Sequence, residues 1–164
     1  MAADFDQIAE HFAQILPIVR RRALAVVVGL QQAGVSHARF NLLEQRAHDT
    51  GATERGIVAT QPQEMDNGWR GEVRPTAPQS IFIERGRGAG KRMPPGGVLL
   101  GWMSRHGIPA SAEFVVRRAI GRRGIRPRPF MAPLPLQLEP ERQRLLAQAR
   151  EAVAADVMAA LRLN

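Results

Sequence analysis

The sequence predicts an α+β fold in which a small antiparallel β-sheet packs with a long N-terminal helix, two short helices and a C-terminal helix. Apolar residues recur at helical spacing near both ends of the 164-residue chain. Between these ends, short runs of β-forming residues are separated by turn-forming residues. Because strands and helices form separate blocks and do not alternate, an α+β fold is favoured over an α/β fold. We predict a single domain over residues 1–164.

The first half of the chain predicts one long helix followed by strands. Residues 1–34 form the predicted N-terminal helix, in which Pro17 predicts a kink or a break and Gly34 a stop. Residues 54–86 form the predicted strand region, with the runs GIVATQP, WRGEVRP and QSIFIERG. The prolines in this region keep the strands short or place them at sheet edges.

The second half predicts a loop, two short helices, an extended arm and a last helix. Residues 87–97 are a basic loop rich in glycine and proline, and residues 98–124 contain the two short helices. The second of these helices has arginines opposite an apolar face, so it is amphipathic. Prolines exclude a helix over residues 125–139, which we predict to be an arm, and helical periodicity returns over residues 140–164.

The composition limits the kinds of partner and chemistry. The chain has 23 Lys and Arg against 15 Asp and Glu, a net charge of +8, which favours contact with nucleic acid or with an acidic protein surface. It has no cysteine, which excludes disulfides and zinc–thiolate sites. The longest apolar run, residues 23–30, is too short to cross a bilayer and is not preceded by an export signal. We therefore expect a soluble protein that does not contact membranes.

Residues 81–97, IFIERGRGAGKRMPPGG, contain a Gly-Lys pair of the kind found in phosphate-binding loops. The pattern G-x-x-x-x-G-K-[ST] requires a glycine where Arg85 stands and a hydroxyl where Arg92 stands. Pro94 and Pro95 also keep the next turn from being the helix that would hold the phosphate. We expect no nucleotide, cofactor or small-molecule substrate here, and predict a mobile, basic surface loop instead.

Catalytic and metal-binding patterns are weak throughout the sequence. The pairs Asp4–Asp6 and Glu139–Glu141 are explained by helix starts, where the helix dipole favours acids. Neither pair has a histidine or lysine that the sequence places beside it. We therefore expect no catalytic residues, no metal site and no enzymatic activity.

The basic and aromatic residues leave alternatives open. Arginine clusters at 20–22, 117–118 and 122–123 fit solvated helix faces, protein interfaces or direct nucleic-acid contact. No recognisable DNA-binding or RNA-binding module accompanies them. We expect Trp102 on the buried side of a short helix. Phe130 either holds the arm to its own domain or fills a pocket of a neighbouring subunit.

Three features in order resemble the neck and tail-completion proteins of long-tailed bacteriophages, the family that includes the minor tail protein Z. These are IFIERGRGAGKRMPP, a helix with tryptophan followed by HGI, and FVVRRAIGRRGIRPRPFM. The family order is a strand ending in Glu and Gly, a loop with Gly and Lys, a Pro-Pro pair, a helix with Trp, a Gly-Ile turn, a helix, and a Gly-Ile-x-Pro-Arg-Pro-Phe arm. In this chain the matching positions are Glu84, Gly86, Gly90, Lys91, Pro94, Pro95, Trp102, Gly107, Ile108, Gly124, Ile125, Pro127, Arg128, Pro129 and Phe130.

The resemblance covers residues 79–132 and departs from the family between residues 40 and 75. It implies a virion structural protein of the head-to-tail junction that assembles in the host cytoplasm. It also implies a homo-oligomeric ring, expected to have six copies, that caps the tail tube or meets a tail terminator protein and joins the head connector or stopper, with DNA passing through the lumen. The alternative is a small basic nucleic-acid-binding protein.

Two sets of interface residues follow from this resemblance and from the loop and arm. We expect the basic loop to order on the adjacent ring or tube through Arg85, Arg87, Lys91 and Arg92. We expect the arm to reach a neighbouring subunit through Arg126, Arg128, Phe130 and Met131, with Phe130 as its anchor.

Overall fold

The computed structural model describes residues 5–47 and 49–162, without the side chains of residues 5–9, 11, 161 and 162. Helices and short strands occupy separate blocks, so the predicted α+β class is confirmed. The elements are α1 Phe5–Glu44, α2 Ala52–Arg55, β1 Ile57–Ala59, β2 Gln63–Met65, β3 Gly68–Arg70, β4 Val73–Pro75, α3 Ser80–Arg85, α4 Leu100–Arg105, a 3-10 turn Ala110–Ala112, α5 Glu113–Arg123, α6 Leu134–Gln137 and α7 Glu139–Arg162.

Two compact units make up the chain. Unit 1 comprises residues 1–37, 58–74 and 134–164, and unit 2 comprises residues 38–57 and 75–133. Val26 and Leu134 are buried hydrophobic residues of unit 1. Those of unit 2 are Ala38, Leu42, Ile57, Met103 and Phe130, so this unit has a core of its own. The prediction of a single domain over residues 1–164 stays a prediction.

Helix α1 is ten residues longer at its C-terminal end than the predicted helix over residues 1–34, whose first four residues lie outside the described part. Pro17 lies inside this helix and does not break it. Gly34 does not stop it. This glycine instead allows close packing, since a Cβ there would lie 3.1 Å from Cγ2 of Val73. The helix ends ten residues later, where Arg46 adopts a left-handed φ of 50°.

The four strands form two short antiparallel pairs. β1 pairs with β4, and β2 pairs with β3 in the register Gln63↔Arg70, Glu64↔Trp69 and Met65↔Gly68. Between the two pairs, the side-chain amide of Gln31 from α1 donates to the carbonyls of Thr60 (2.9 Å) and Glu72 (3.1 Å). Gly71 leaves room for this amide, since a Cβ there would lie 2.5 Å from Cδ of Gln31. Gln31 therefore satisfies main-chain acceptors where the ladder is interrupted.

The predicted strand QSIFIERG over residues 79–86 is wrong, because residues 80–85 form helix α3. The hydroxyl of Ser80 donates to the carbonyl of Ala77 (2.5 Å) at the start of this helix. Gly86, with a φ of 67°, ends it. The β-branched and aromatic residues in the middle of the segment favour a strand locally, and tertiary contacts of the helical form override that preference.

The C-terminal helices pack against α1 within unit 1. The predicted arm over residues 125–139 ends early, because α6 begins at Leu134. Helix α7 begins at Glu139, one residue before the predicted start, and residues 163–164 of the predicted helix lie outside the described part. A Cβ on Gly29 would lie 3.0 Å from Leu145, and Asp156 accepts hydrogen bonds from Arg21 (3.2 Å) and Arg22 (2.9 Å). The two helices therefore run antiparallel. Among the described residues, no helix meets the length and hydropathy that a membrane span requires.

Candidate functional site

A concave surface with a volume of about 820 Å³ lies wholly within unit 2. We call it the cleft. Its apolar lining includes residues of α3, α4 and α5 and of the segments that precede α4 and follow α5: Phe82, Val98, Leu99, Trp102, Ile120 and Ile125. Charged residues also line it: Arg87, Arg105, Arg126, Arg128, Asp49 and Glu54. This combination of an apolar surface with guanidinium groups suits a ligand that has both apolar and anionic groups.

One wall of the cleft is built by a main-chain bridge between distant segments. The N–H of Arg87 donates to the carbonyl of Ile125 and the N–H of Ile125 donates to the carbonyl of Arg87, both at 2.8 Å. Gly86 and Gly124 precede these residues with left-handed φ values of 67° and 77°. A Cβ on either glycine would overlap main-chain atoms of the opposite segment. The bridge therefore requires glycine on both sides.

The basic loop, residues 87–97, is held against α5. The Nε of Arg117 donates to the carbonyl of the buried Pro94 (2.7 Å), and the N–H of Gly97 donates to the carboxylate of Glu113 (2.5 Å). Gly121 of α5 lies against this loop, since a Cβ there would be 3.2 Å from the carbonyl oxygen of Lys91. The side chain of Arg87 also donates to the carbonyl of Arg92. These bonds hold the loop's main chain at several points, and the predicted mobility of the loop stays a prediction.

The observed arm, residues 125–133, is held to its own unit. Glu84 accepts three main-chain hydrogen bonds from it: Oε2 from the N–H groups of Phe130 (2.8 Å) and Met131 (2.9 Å), and Oε1 from that of Ala132 (2.9 Å). Asn41 of α1 donates to the carbonyl of Phe130 (3.0 Å). The Phe130 side chain is 0% exposed within unit 2. The prediction that Phe130 anchors the arm in a neighbouring subunit is therefore wrong, and of its two alternatives the first is the one observed.

The other predicted arm residues differ in their surroundings. Arg128 lines the cleft, donates from Nη1 to the carbonyl of Arg46 (2.8 Å), and its N–H donates to the carbonyl of Ile83 (2.7 Å). Arg126 also lines the cleft, is exposed, and has no ion-pair partner within the described part of the chain. Met131 is half-buried. Arg126 and Arg128 are thus brought together with Arg87 at one surface.

The remaining predicted loop residues lie apart from the cleft lining. Arg85 is the last residue of α3, and Lys91 and Arg92 are exposed in the basic loop. None of these three has an acidic partner in the described ranges. They are therefore available as donors on the surface of unit 2.

Trp102 lies on the cleft rather than in the core. It is 37% exposed, whereas its neighbour Met103 is 0% exposed and occupies the buried position of α4. The prediction that Trp102 is a core residue is wrong, because one turn of this short helix directs Met103 inward. The ring of His106 stacks on Trp102 with a centroid distance of 4.5 Å.

A bidentate ion pair flanks Trp102. Arg105 donates from Nε to Oδ1 (3.0 Å) and from Nη2 to Oδ2 (2.5 Å) of Asp49. The hydrogen bond from Asp49 raises the pKa of the Arg105 guanidinium. This pair ties α4 to the segment before α2 and neutralises one of the four arginines on the cleft, so the others carry its positive charge.

The charge of the chain is concentrated in unit 2. This unit has 14 of the 23 Lys and Arg residues and five of the 15 Asp and Glu residues, a net charge of +9, whereas unit 1 has a net charge of −1. On α5 of unit 2, Arg118, Arg122 and Arg123 are exposed and without an acidic partner in the part of the chain described. Unit 2 is therefore the part of the protein that attracts anionic surfaces.

The carboxylate pair Glu139–Glu141 is held by ion pairs at the start of α7. Glu139 and Glu141 lie in the first turn of α7, as predicted. Each accepts from the arginine three residues later, Arg142 or Arg144, and these hydrogen bonds lower the pKa of both carboxyl groups. Asp4 lies outside the described residues. No group of three possible metal ligands occurs among the residues that were placed.

Sequence reasoning assigned no contacts to Glu84 or Gln31, whose side chains make three and two long-range hydrogen bonds to main-chain groups. Glu84 did carry a signal, because Glu84 and Glu113 are the only acids between residues 75 and 133. An isolated acid in a basic stretch indicates a specific acceptor. Gln31 carried none, since its spacing is that of any core-facing position of a helix.

Comparisons with protein-family models, with curated protein sequences and with solved structures returned no match.

Proposed function

We propose that the protein is a structural component of the bacteriophage head-to-tail junction, a neck or tail-completion protein of the virion. In this role it forms a homo-oligomeric ring, with six copies, that caps the tail tube and joins it to the head connector. It acts by binding other proteins and catalyses no reaction. The class of virion protein rests on the resemblance over residues 79–132.

One observation carries the proposal: positions of the resemblance that are far apart in the sequence contact each other. Glu84 accepts hydrogen bonds from the arm at Phe130. A Cβ on Gly86 would overlap Ile125 and Pro127. These positions therefore form one connected substructure, and the cleft opens on it. That positions of the resemblance contact each other in the fold supports the proposal.

The helical form of residues 80–85 departs from the strand that the family order contains at this place. Gly86 nevertheless ends this element, and Glu84 near its end holds the arm by hydrogen bonds. The proposal therefore depends on the contacts of these residues rather than on the type of element that bears them.

Exposed apolar side chains on unit 2 support a role in assembly. Seven of them are at least half exposed: Phe40, Leu43, Ile81, Phe82, Val98, Phe114 and Val115. Exposed apolar side chains that lie together are typical of surfaces that bind other proteins, and Phe82 and Val98 lie together on the cleft. A ring needs two different patches on each subunit, and a unit with several apolar surfaces provides candidates for both.

The test is head–tail joining with a variant of the exposed loop bases. Replacing Arg85, Lys91 and Arg92 by serine removes three unpaired cations and leaves the Arg87 bridge in place. We expect joining of purified heads and tails, scored as infectious particles, to fall at least tenfold. The matched control replaces Arg70, Arg74 and Arg150 of unit 1 by serine and should join normally. Normal joining by the loop variant would count against the proposal.

A second candidate is nucleic-acid binding by α5, favoured by the exposed cations Arg118, Arg122 and Arg123. If this is the function, a monomer binds DNA tightly and its affinity falls steeply as salt is raised. Serine at these three positions would then lower the affinity and the salt slope together. Assembly on a tail tube with weak DNA binding favours the first proposal.

A further inference from the structure

The sequence of the N-terminal part of α1 contains both apolar and acidic residues, the combination that the cleft suits. Residues 1–19, which we call the acidic segment, contain Asp4, Asp6 and Glu10 and no lysine or arginine, so their side chains carry a net charge of −3. The chain's first basic residue is Arg20. The acidic segment therefore contrasts with unit 2 in charge, and its sign is opposite to that of the cleft's arginines.

The acidic segment also exposes an apolar stripe. Phe12, Leu16 and Val19 are 68%, 51% and 41% exposed. Their spacing of four and three residues places them on one face of the helix. Because a helix rises 1.5 Å per residue, this stripe is about 10 Å long. The acidic segment thus has carboxylates in its sequence and an apolar stripe that is exposed within the described part of the chain.

The cleft matches this stripe in size and in the sign of its charge. A volume of about 820 Å³ corresponds to a space about 9 Å on each side, close to the length of the stripe. Val98 is 65% exposed and Phe82 50%, so the cleft has apolar surface to cover. Arg126 is exposed beside it and has no acidic partner among the residues described. Burial of the stripe would remove apolar surface from water on both sides.

We propose that the acidic segment of one copy docks in the cleft of a second copy of this chain. The contact joins two different patches, so each copy gives one segment and receives one, and repetition closes a ring or continues as a filament. This inference rests on the proposed function for the closure into a ring. It assigns a partner to the cleft, whereas the proposed ring does not specify which surfaces of the subunits meet.

Two double variants at exposed positions test the docking. The segment variant, Phe12→Ser with Leu16→Ser, removes the stripe, and the cleft variant, Val98→Asp with Arg126→Glu, gives the cleft two acids. We expect each to raise the dissociation constant of self-association about 100-fold, measured by sedimentation velocity over a range of concentrations. The matched control, Leu136→Ser with Met158→Ser, changes exposed apolar residues of unit 1 and should assemble like the unaltered chain.

Mixing the two variants provides the decisive measurement. The segment variant keeps an intact cleft and the cleft variant keeps an intact segment, so an equal mixture forms one good contact per pair. We expect heterodimers and no larger species. Variants that had failed to fold would form none, so this result also excludes misfolding as the cause of dissociation.

Three outcomes would overturn the docking. They are an unaltered chain that is monomeric at every concentration, variants that assemble like the unaltered chain, and a mixture that stays monomeric. Rings that survive in both variants refute this contact but leave the proposed function intact. Normal head–tail joining by the loop variant, with self-association lost in the segment and cleft variants, counts against the proposed function alone.

Discussion

Glu84 fixes the arm, and its replacement should destabilise unit 2 selectively. Its carboxylate accepts hydrogen bonds from the N–H groups of Phe130, Met131 and Ala132 at 2.8, 2.9 and 2.9 Å. A hydrogen bond to a charged group contributes about 1.5–3 kcal/mol, and one between neutral groups about 1 kcal/mol. The three bonds together therefore form one of the larger stabilising contributions in this unit.

Two substitutions separate the charge from the hydrogen bonds. In Glu84→Gln one oxygen can still accept from two N–H groups, but the amide nitrogen cannot accept the third, so we expect a loss of about 2 kcal/mol. In Glu84→Ala all three donors lose their acceptor, next to the buried Phe130, and we expect a loss of about 4 kcal/mol. Glu151→Gln on α7 is the control. Glu151 is exposed without an ion-pair partner in the described chain, so it should change stability by less than about 0.5 kcal/mol.

The two tryptophans allow each unit to be observed separately. Trp69 lies in unit 1 and Trp102 in unit 2. In a Trp69→Phe background, Trp102 fluorescence during urea denaturation reports unfolding of unit 2. The reasoning is refuted if Glu84→Ala lowers the free energy of unfolding by less than about 1 kcal/mol, or if Glu151→Gln lowers it as much.

Three more predictions follow from contacts within the units. Phe130→Ala should cost about 3–5 kcal/mol of unit 2 stability through the cavity it leaves, measured by Trp102 fluorescence; an unchanged midpoint would show that the side chain is not a core residue. Gly124→Ala should cost more than 2 kcal/mol, because its Cβ would overlap main-chain atoms, whereas Gly90→Ala, also at a left-handed φ but with open space around it, should cost about 1 kcal/mol. Hydrogen bonds and charge from Arg22, and to a smaller extent from Arg21, lower the pKa of Asp156. The ionised carboxylate therefore stabilises unit 1 at a pH above its unfolded pKa. This stabilisation is lost as the pH falls through the lower, folded pKa. Asp156→Asn should therefore lower the thermal midpoint at pH 7 but not at pH 2, and an equal effect at both pH values would contradict this assignment.

The long helices could be predicted because their signal is carried by many residues. Apolar spacing in α1 and α7 extends over several turns, so single exceptions such as Pro17 do not hide it. Helix ends were less predictable. Gly34 has the composition of a stop, but only the structure shows that Val73 packs where a side chain would be. The sequence alone does not distinguish a glycine required for close packing from a glycine that ends a helix.

The error at α3 has a different physical origin. Ile81, Phe82 and Ile83 favour a strand when only local preference is considered. The helix places Glu84 where it can accept from the arm, whose residues are more than forty positions away. Contacts at that sequence separation cannot be predicted from a short window of the sequence.

The cleft could not have been predicted for a related reason. Its apolar residues Phe82, Val98, Trp102 and Ile125 come from three separate parts of the chain, which do not share one periodic pattern. The sequence shows that the region is basic. It could not indicate that the arginines at 87, 126 and 128 lie on one surface, because the Arg87–Ile125 bridge that brings them together depends on two glycines with positive φ.

That bridge fixes the glycines that flank it, whereas the tip of the basic loop can vary. Gly86 and Gly124 leave no room for a side chain, whereas a Cβ on Gly90 would meet nothing within 4 Å and one on Gly88 only the end of the Lys91 side chain at 3.7 Å. Residues inserted between Gly88 and Gly90 would extend into solvent while the flanking bonds keep their geometry. This tip is therefore the place to attach a label for imaging. It is also where related proteins can differ in length and acquire different partners without rebuilding unit 2.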